Sequence, residues 1–235
     1  MDTFELKKEQ LRMAQKIILQ DGFDRVKTIG GVECVVVGNN VLACVVVCEY
    51  PSLKFIEKKT YLLPDPLPFI PGFSAYREMP AMVEAYNLLE QEPDVLLVKG
   101  EGIIHPRKIG IASHLGLVLN KPTIGVTEKL LLGRIEQGKV FVGPEILGFE
   151  VITREHAKPS YISPSHLMSL GSCLNIIKNS LLFPHKMPEP LHLAHKIGKK
   201  QVHDLLKKDD HLLTSTTDVK KQSSDAIASV HHELY

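Results

Sequence analysis

The chain has 235 residues, of which 44% are hydrophobic, so it can bury a sizeable core but is short for two domains. Its formal net charge of +1 excludes a global basic field, so any binding of nucleic acid has to come from local clusters of lysine and arginine. The four cysteines form no CxxC pair, and the chain shows neither a signal peptide nor an apolar run of about 18 residues. We therefore expect buried, reduced thiols and a soluble intracellular protein, cytoplasmic or, in a eukaryote, nuclear.

The first part of the chain predicts one helix followed by three strands. Apolar residues recur at helical spacing over residues 3–20, and Asp2 or Thr3 can cap this helix. The composition then shifts to valine, isoleucine and cysteine around the turn Gly38-Asn39-Asn40, which is typical of a β-hairpin. The predicted strands form an antiparallel meander and comprise Thr28–Val37, Val41–Glu49 and Phe55–Leu62.

The middle of the chain alternates helices and strands. Residues 64–72 carry four prolines, which predict a stiff loop. The elements predicted after this loop are a helix Ala75–Gln91, a strand Val95–Val98, a helix Ile109–Leu119, a strand Thr123–Val126, a hairpin of residues 140–142 with Gly148–Ile152, and a helix Leu167–Ser180 with serine capping from Ser163-Pro164-Ser165.

A meander followed by alternating helices and strands predicts an α/β fold. Its sheet is mixed, with the three-strand meander and parallel strands together, and helices flank it. We expect one domain over residues 1–202. From about residue 203 the chain turns polar and charged, so residues 203–235 are predicted to form a flexible tail.

The stretch from Asp94 to Gly116 combines a buried strand with polar and glycine residues. Gly100 and Gly102 lack side chains, so a backbone or a flat ligand can come close there. His105, Arg107 and Lys108 follow within a few residues. Ligands bind just beyond the carboxyl ends of strands in open α/β sheets, so this stretch is a candidate site. An ordinary strand–loop–helix connection is the alternative.

Four motifs closely resemble the endonuclease V family, in the right order from about Gly30 to about Ile197. They are PFIPGFSAYRE (68–78), GEGIIHPRKIGIASHLG (100–116), PTIGVT (122–127) and PEPLHLAHK (188–196). The resemblance implies an RNase H-like fold, which agrees with the order of elements above. It also implies DNA repair chemistry: cleavage of nucleic acid at a phosphodiester bond 3′ to deaminated adenine (inosine), assisted by Mg²⁺ or Mn²⁺.

The resemblance assigns the catalytic positions residue by residue. Glu78 and His195 match the family, and Glu33 stands where an aspartate is expected. Lys99 stands where a second metal-binding aspartate is expected, and Glu128 stands where the family usually carries a lysine, with Lys129 displaced by one. Mg²⁺ prefers oxygen ligands, so the candidate metal ligands are Glu33, Glu78 and, in place of the lost aspartate, Glu101.

Lys99 puts hydrolysis in doubt. A protonated lysine has no lone pair to offer a metal, and two like charges about 4 Å apart repel by roughly 4 kcal/mol at an effective dielectric near 20. One interpretation places the ammonium in the cation's position, paired with Glu33 and Glu78. The other lets Glu101 swing into the ligand position while Lys99 turns to the phosphate. A third interpretation is that the site uses a different metal or a different substrate chemistry.

The residues implied in recognition depart less from the family. Phe69 matches an aromatic wedge, usually tyrosine, that fills the gap left by an extruded base. Packing of Phe69 on the core is the alternative. The other implied recognition residues are Gly72, Gly100, Gly102 and His105 around the base, and Arg107, Lys108, Lys129, Lys196 and His192 at phosphates, where solvated surface charge is the alternative. Ser74 occupies a position that is commonly apolar in the family, which bears on the pocket's selectivity.

Two classes of function follow from these residues. The first is an inosine-directed, metal-dependent endonuclease whose activity is weakened or lost here. The second is a protein that binds inosine-containing nucleic acid without cutting it and needs no cofactor. The expected partner is DNA or RNA containing inosine, with no membrane, and we expect a monomer.

Overall fold

The computed structural model describes residues 2–153 and 157–207. The described residues fall into two units, which divide between Gly198 and Lys199. In the first unit the helices are α1 (Thr3–Ala14), α2 (Ser74–Asn87), α3 (Ile111–Leu119), α4 (Leu170–Asn179) and α5, the helical residues 189–198. The strands are β1 (Thr28–Val37), β2 (Asn40–Glu49), β3 (Phe55–Leu63), β4 (Val95–Lys99), β5 (Thr123–Thr127), β6 (Arg134–Glu136), β7 (Lys139–Val142), β8 (Glu145–Val151) and β9 (Ser160–His166).

In the second unit, residues 199–207 are helical. The predicted tail from residue 208 onward lies outside the described residues. Within the described ranges, no helix is long and apolar enough to cross a membrane.

One nine-stranded mixed sheet organises the first unit, in the order β3-β2-β1-β4-β5-β9-β8-β7-β6. The predicted meander is confirmed, since β1 pairs antiparallel with β2 and β2 with β3. The pairs β1–β4 and β4–β5 are parallel, and every pair beyond β5 is antiparallel. The predicted fold class is therefore confirmed.

The two faces of the sheet bury separate cores. Side chains alternate along a strand, so Leu96 and Val98 of β4 face α2 and α3, whereas Val95 and Leu97 face α4 and α5. This alternation fixes which face each site residue occupies. A smaller cluster, Ile103, Ile104, Val140 and Leu147, lies under the segment that follows α1.

Several predicted boundaries differ from the structure. Helix α1 ends at Ala14, and Ile17 then packs against the smaller cluster. Helix α2 ends at Asn87, earlier than expected. The segment Ser163-Pro164-Ser165 belongs to strand β9, because its register with β5 contains an irregularity that accommodates the proline. The serine that caps α4 is Ser169.

Candidate functional site

A cavity of about 230 Å³ opens where β4 ends. Gly100 turns the chain there with φ +151°, and a Cβ atom at this position would lie 2.2 Å from Cγ2 of Ile111, so only glycine fits. The cavity is lined by Ser74, Glu78, Lys99, Gly100, Glu101, Ile111, Val126 and Thr127. The structure thus brings together four of the predicted site residues.

Glu33 and His195 meet beside the end of β4. Val32 of β1 pairs with Val98 of β4, so Glu33 and Lys99 are the next residues along two adjacent strands. Glu33 is 8% exposed, and its Oε1 lies 2.9 Å from Nδ1 of His195 on α5. Its other oxygen, Oε2, is buried and has no hydrogen-bond partner among the described residues. One oxygen of the Glu33 carboxylate is therefore held by His195, and the other could still accept a ligand.

Lys99 does not neutralise Glu33 or Glu78, contrary to the first interpretation above. Alternation along β4 directs its side chain to the α5 face, which Glu33 shares, whereas Glu78 lies on α2 at the other face. The contacts of the Lys99 ammonium are with two other residues. Its Nζ donates to Sδ of Met187 at 3.1 Å and lies 3.6 Å from Oε2 of Glu128. Glu128 thus takes the role that had been expected of Glu33 and Glu78.

Glu128 binds a second lysine at the same time. Nζ of Lys186 donates to Oε1 of Glu128 at 2.6 Å. The hydrogen bond from Lys186, together with the charge of Lys99, holds the pKa of Glu128 below its usual value. Lys99 and Glu128 are both departures from the family, and they form one ion pair with the two signs exchanged.

Glu78 lies in a cluster of carboxylates. Burial raises the pKa of Glu78 to about 7; the charge of Arg77 opposes this rise, and the charges of Glu101 and Glu33 add to it. Nevertheless, within residues 2–153 and 157–207 no three His, Cys, Asp or Glu side chains are grouped as ligands of one metal ion. With an ammonium at the end of β4 as well, the donor set as it stands does not fit Mg²⁺ or Mn²⁺.

The proline-rich loop is held by side chains from two other segments. Gly72 has φ +78°, and its carbonyl accepts hydrogen bonds from Nη2 of Arg107 at 2.6 Å and from Nε2 of Gln10 at 3.1 Å. Arg107 also donates through Nε to Gln10 and lies over the ring of Phe73, 4.6 Å from its centroid. The predicted phosphate contact of Arg107 stays a prediction, and the structure shows this residue bracing the loop.

His105 supports the same loop from beneath. It is 3% exposed, and burial, with the nearby charge of Arg107, lowers its pKa to about 4. Its Nδ1 accepts from the backbone N–H of Arg107 at 3.3 Å, so the neutral ring carries its proton on Nε2, towards Gly72. Phe69, at the loop's outer side, is 63% exposed, so it does not pack on the core.

The remaining predicted residues differ in their surroundings. The N–H of Gly100 bonds to the carbonyl of Val126, and the carbonyl of Gly102 accepts from Gly110, both at 2.9 Å. A Cβ atom at Gly102 would lie 2.5 Å from Oγ of Ser163 and of Ser165, so close packing requires glycine. Lys108 pairs with Glu145 at 2.6 Å, while Lys129 and Lys196 are exposed. The roles of these residues at a base or a phosphate stay predictions.

The segment before α5 contributes residues that the sequence reasoning missed. Lys186 and Met187 contact the Lys99–Glu128 pair, and the rings of His185 and His192 stack with centroids 3.6 Å apart. Burial, with the charge of His185, lowers the pKa of His192. No local pattern marks the contacts of Lys186 with Glu128 and of Met187 with Lys99, since each joins residues far apart in the chain.

The mixed sheet and the acidic residues at the ends of its central strands define an RNase H-like protein. Residues 11–196 match the family model for endonuclease V. Over 207 residues the chain is 34% identical to endonuclease V of Dictyoglomus thermophilum, covering 85% of this chain and 89% of that one. It is 37% identical over 195 residues to endonuclease V of Thermofilum pendens, covering 80% and 84%. The chain belongs to the endonuclease V family.

Solved structures agree with this assignment. The catalytic domain of human endonuclease V superposes with a TM-score of 0.78 at 26% identity, covering 87% of this chain and 98% of that one. Endonuclease V of Ciona intestinalis, in complex with a 24mer DNA containing an inosine followed by a ribo-adenosine, gives 0.79 at 26% identity, covering 86% and 98%.

Proposed function

We propose that this protein recognises inosine in nucleic acid at the cavity beside Lys99 and that its phosphodiester hydrolysis is weak or lost. The observation that carries the proposal is the ion pair of Lys99 with Glu128, at 3.6 Å. This pair fixes a positive charge at the end of β4, beside a cavity whose other walls are those of a family that acts on nucleic acid.

Recognition is supported by the loop that carries Phe69. The ring is exposed, and the loop beneath it is held at Gly72 by Arg107 and Gln10. A ring presented from a rigid loop can replace the stacking lost when a base leaves the helix, worth about 1–3 kcal/mol per base. The solved complex of the Ciona intestinalis relative contains inosine-bearing DNA. Gly72, Gly100, Gly102 and His105 are the proposed neighbours of the base.

Weak hydrolysis follows from the charges around the cavity. A divalent ion placed about 4 Å from the Lys99 ammonium would be repelled by roughly 8 kcal/mol at an effective dielectric near 20, twice the value for two unit charges. The ammonium cannot move away without losing its contacts with Glu128 and Met187. A phosphate oxygen of the bound strand can instead approach the Lys99 ammonium where it stands, and this contact needs no metal.

Metal-dependent cleavage is a second candidate, because Oε2 of Glu33 is buried without a partner among the described residues. Unsatisfied buried carboxylate oxygens are costly, and a hard cation would satisfy this one. This candidate requires Glu101 or Glu78 to join Glu33 around the ion, in an arrangement that differs from the present one.

The two candidates are separated by one set of oligonucleotides. DNA and RNA strands with and without a single inosine are incubated with the protein in EDTA, Mg²⁺ or Mn²⁺, then run on a denaturing gel and, in parallel, in a binding assay. We expect tighter binding to the inosine strands in all three conditions and little nicking. Rapid nicking with Mg²⁺ would establish the second candidate, and equal binding of both strands would refute recognition of inosine.

Reversal of the ion pair tests the reason for weak hydrolysis. The double variant K99D/E128K keeps the pair and restores a carboxylate at the end of β4, so we expect nicking to appear with Mg²⁺. The matched control R134E/E136R reverses an exposed ion pair on β6 and should leave nicking unchanged. If K99D/E128K folds and binds but does not nick, the block to hydrolysis lies at Glu33 or elsewhere.

A further inference from the structure

Phe183 is the most exposed large hydrophobic side chain in the part of the chain that the structure describes, at 85%. The backbone N–H of His185 bonds to the carbonyl of Leu182 at 2.8 Å, so Phe183 and Pro184 occupy the two central positions of a turn. Leu182, beside it, is also exposed. An aromatic ring at the tip of a turn gains little from the core, and it is free to stack on a flat ligand.

The turn is fixed to the candidate site rather than loosely attached. At its carboxyl side Lys186 bonds to Glu128 at 2.6 Å, and Met187 accepts from Lys99. The ring of His185 stacks on His192 of α5. Phe183 precedes Lys186 by three residues, so at most about 11 Å separates the Cα atoms of these two residues.

The exposed aromatic residues Phe69 and Phe183 belong to segments that lead into helices on opposite faces of the sheet. Phe69 belongs to the loop that leads into α2, whose Ala75 and Met82 pack on the face of Leu96 and Val98. The turn of Phe183 leads into α5, whose side chains pack on the face of Val95 and Leu97.

We propose that Phe183 is a second stacking residue, which binds an unpaired or unstacked nucleobase beside the inosine. Phe183 carries no charge and no hydrogen-bonding group in its side chain, so the contact that it offers is with the face of a base rather than with phosphate. This inference rests on the proposed binding of nucleic acid and adds a second point of contact to it.

The chain contains no tryptophan, which makes the test direct. In F183W the new indole is the only one, and we expect its fluorescence to be quenched when an inosine-containing oligonucleotide binds. F183A should weaken binding by about 5- to 150-fold in Kd, the range that corresponds to one stacked base. F183L keeps an apolar side chain but no flat ring and should resemble F183A. L182A removes the neighbouring exposed side chain and should bind like the unaltered protein.

The base that is contacted can be located with abasic sites. Inosine oligonucleotides are made with one neighbouring base removed at a time, and the loss caused by F183A should disappear at one position only. Equal weakening of F183A towards strands with and without inosine also supports stacking, since the neighbouring base is present in both.

The proposal fails if F183A binds within twofold of the unaltered protein, or if its loss is the same at every abasic position. Failure of the proposed function is recognised separately, because it is measured on the unaltered protein alone as equal binding of inosine and control strands. Phe183 is exposed, so its replacement should not alter folding, and thermal unfolding of each variant verifies this.

Discussion

The two sides of the cavity are held by different kinds of interaction. On the side of the proline-rich loop, the carbonyl of Gly72 is bonded by Arg107 and Gln10 above a buried, neutral His105. On the side of Lys99, one exposed carboxylate, Glu128, binds two lysines. The side of the proline-rich loop is therefore held by hydrogen bonds above a buried histidine, and the side of Lys99 is held by partly solvated ion pairs.

This difference explains where the chain departs from its family. The motifs that carry the resemblance include Gly72 and Gly100, where a positive φ and a close neighbour leave no room for a side chain. A solvated ion pair tolerates reversal of both charges, because the attraction survives the exchange. Reversal of the charge at residue 99 therefore changes the chemistry that depends on this charge, whereas it leaves the fold unchanged.

The largest effect is expected where packing is tightest. Gly100→Ala places a Cβ atom against Ile111 at a backbone conformation that side chains rarely adopt. We expect the free energy of unfolding to fall by about 2–4 kcal/mol, measured by urea denaturation. Gly171→Ala is the matched control, since no atom lies within 4 Å of its Cβ position on α4, and it should be neutral or slightly stabilising. If the two substitutions lowered the free energy of unfolding equally, close packing at Gly100 would not be the cause of the loss.

The buried histidine gives the loop side a dependence on pH. The pKa of His105 is lowered to about 4 in the fold, against about 6.5 when unfolded, so its contribution is complete above pH 6.5 and declines as the pH falls towards 4. The loss should reach about 3 kcal/mol, since 2.5 pH units correspond to 1.36 kcal/mol each.

The measurement compares urea unfolding at pH 7 and pH 4 for the unaltered protein and His105→Gln. The variant should be less stable at pH 7 but lose about 3 kcal/mol less on acidification. His203→Gln changes an exposed histidine and should keep the full decline. A variant with the same decline as the unaltered protein would show that His105 is not the group responsible.

The smallest effect is expected at the charged corner. Glu128→Gln removes the shared partner of Lys99 and Lys186, so both ammonium groups become available to phosphate oxygens. We expect binding of an oligonucleotide in EDTA to tighten by about 3- to 10-fold at low salt, and the difference to shrink as salt rises. Glu136→Gln, which breaks the exposed pair with Arg134, is the control for added net charge. Fluorescence anisotropy measures both, and equal tightening would mean that the position of the charge is irrelevant.

The sequence alone determined the elements whose signals are local. The meander, the proline-rich loop, the strand at Val95 and the glycine turn follow from alternation, composition and glycine or proline at particular positions. The motifs also identified the family and the positions of Glu33, Glu78 and His195. Each of these inferences uses residues that lie close together in the sequence.

The tertiary structure alone decided the interactions between distant segments. Strand β9 was not predicted, and its Ser163-Pro164-Ser165 segment was interpreted as the cap before a helix, because the pairing of β9 with β5 leaves no local signal in the sequence. The short β6 depends on its pairing with β7 in the same way. Lys99 was assigned to other carboxylates because its contacts with Glu128 and Met187 join segments that are far apart in the chain. The partner of a charge and the exposure of a ring are set by packing, and packing joins residues that the sequence keeps far apart.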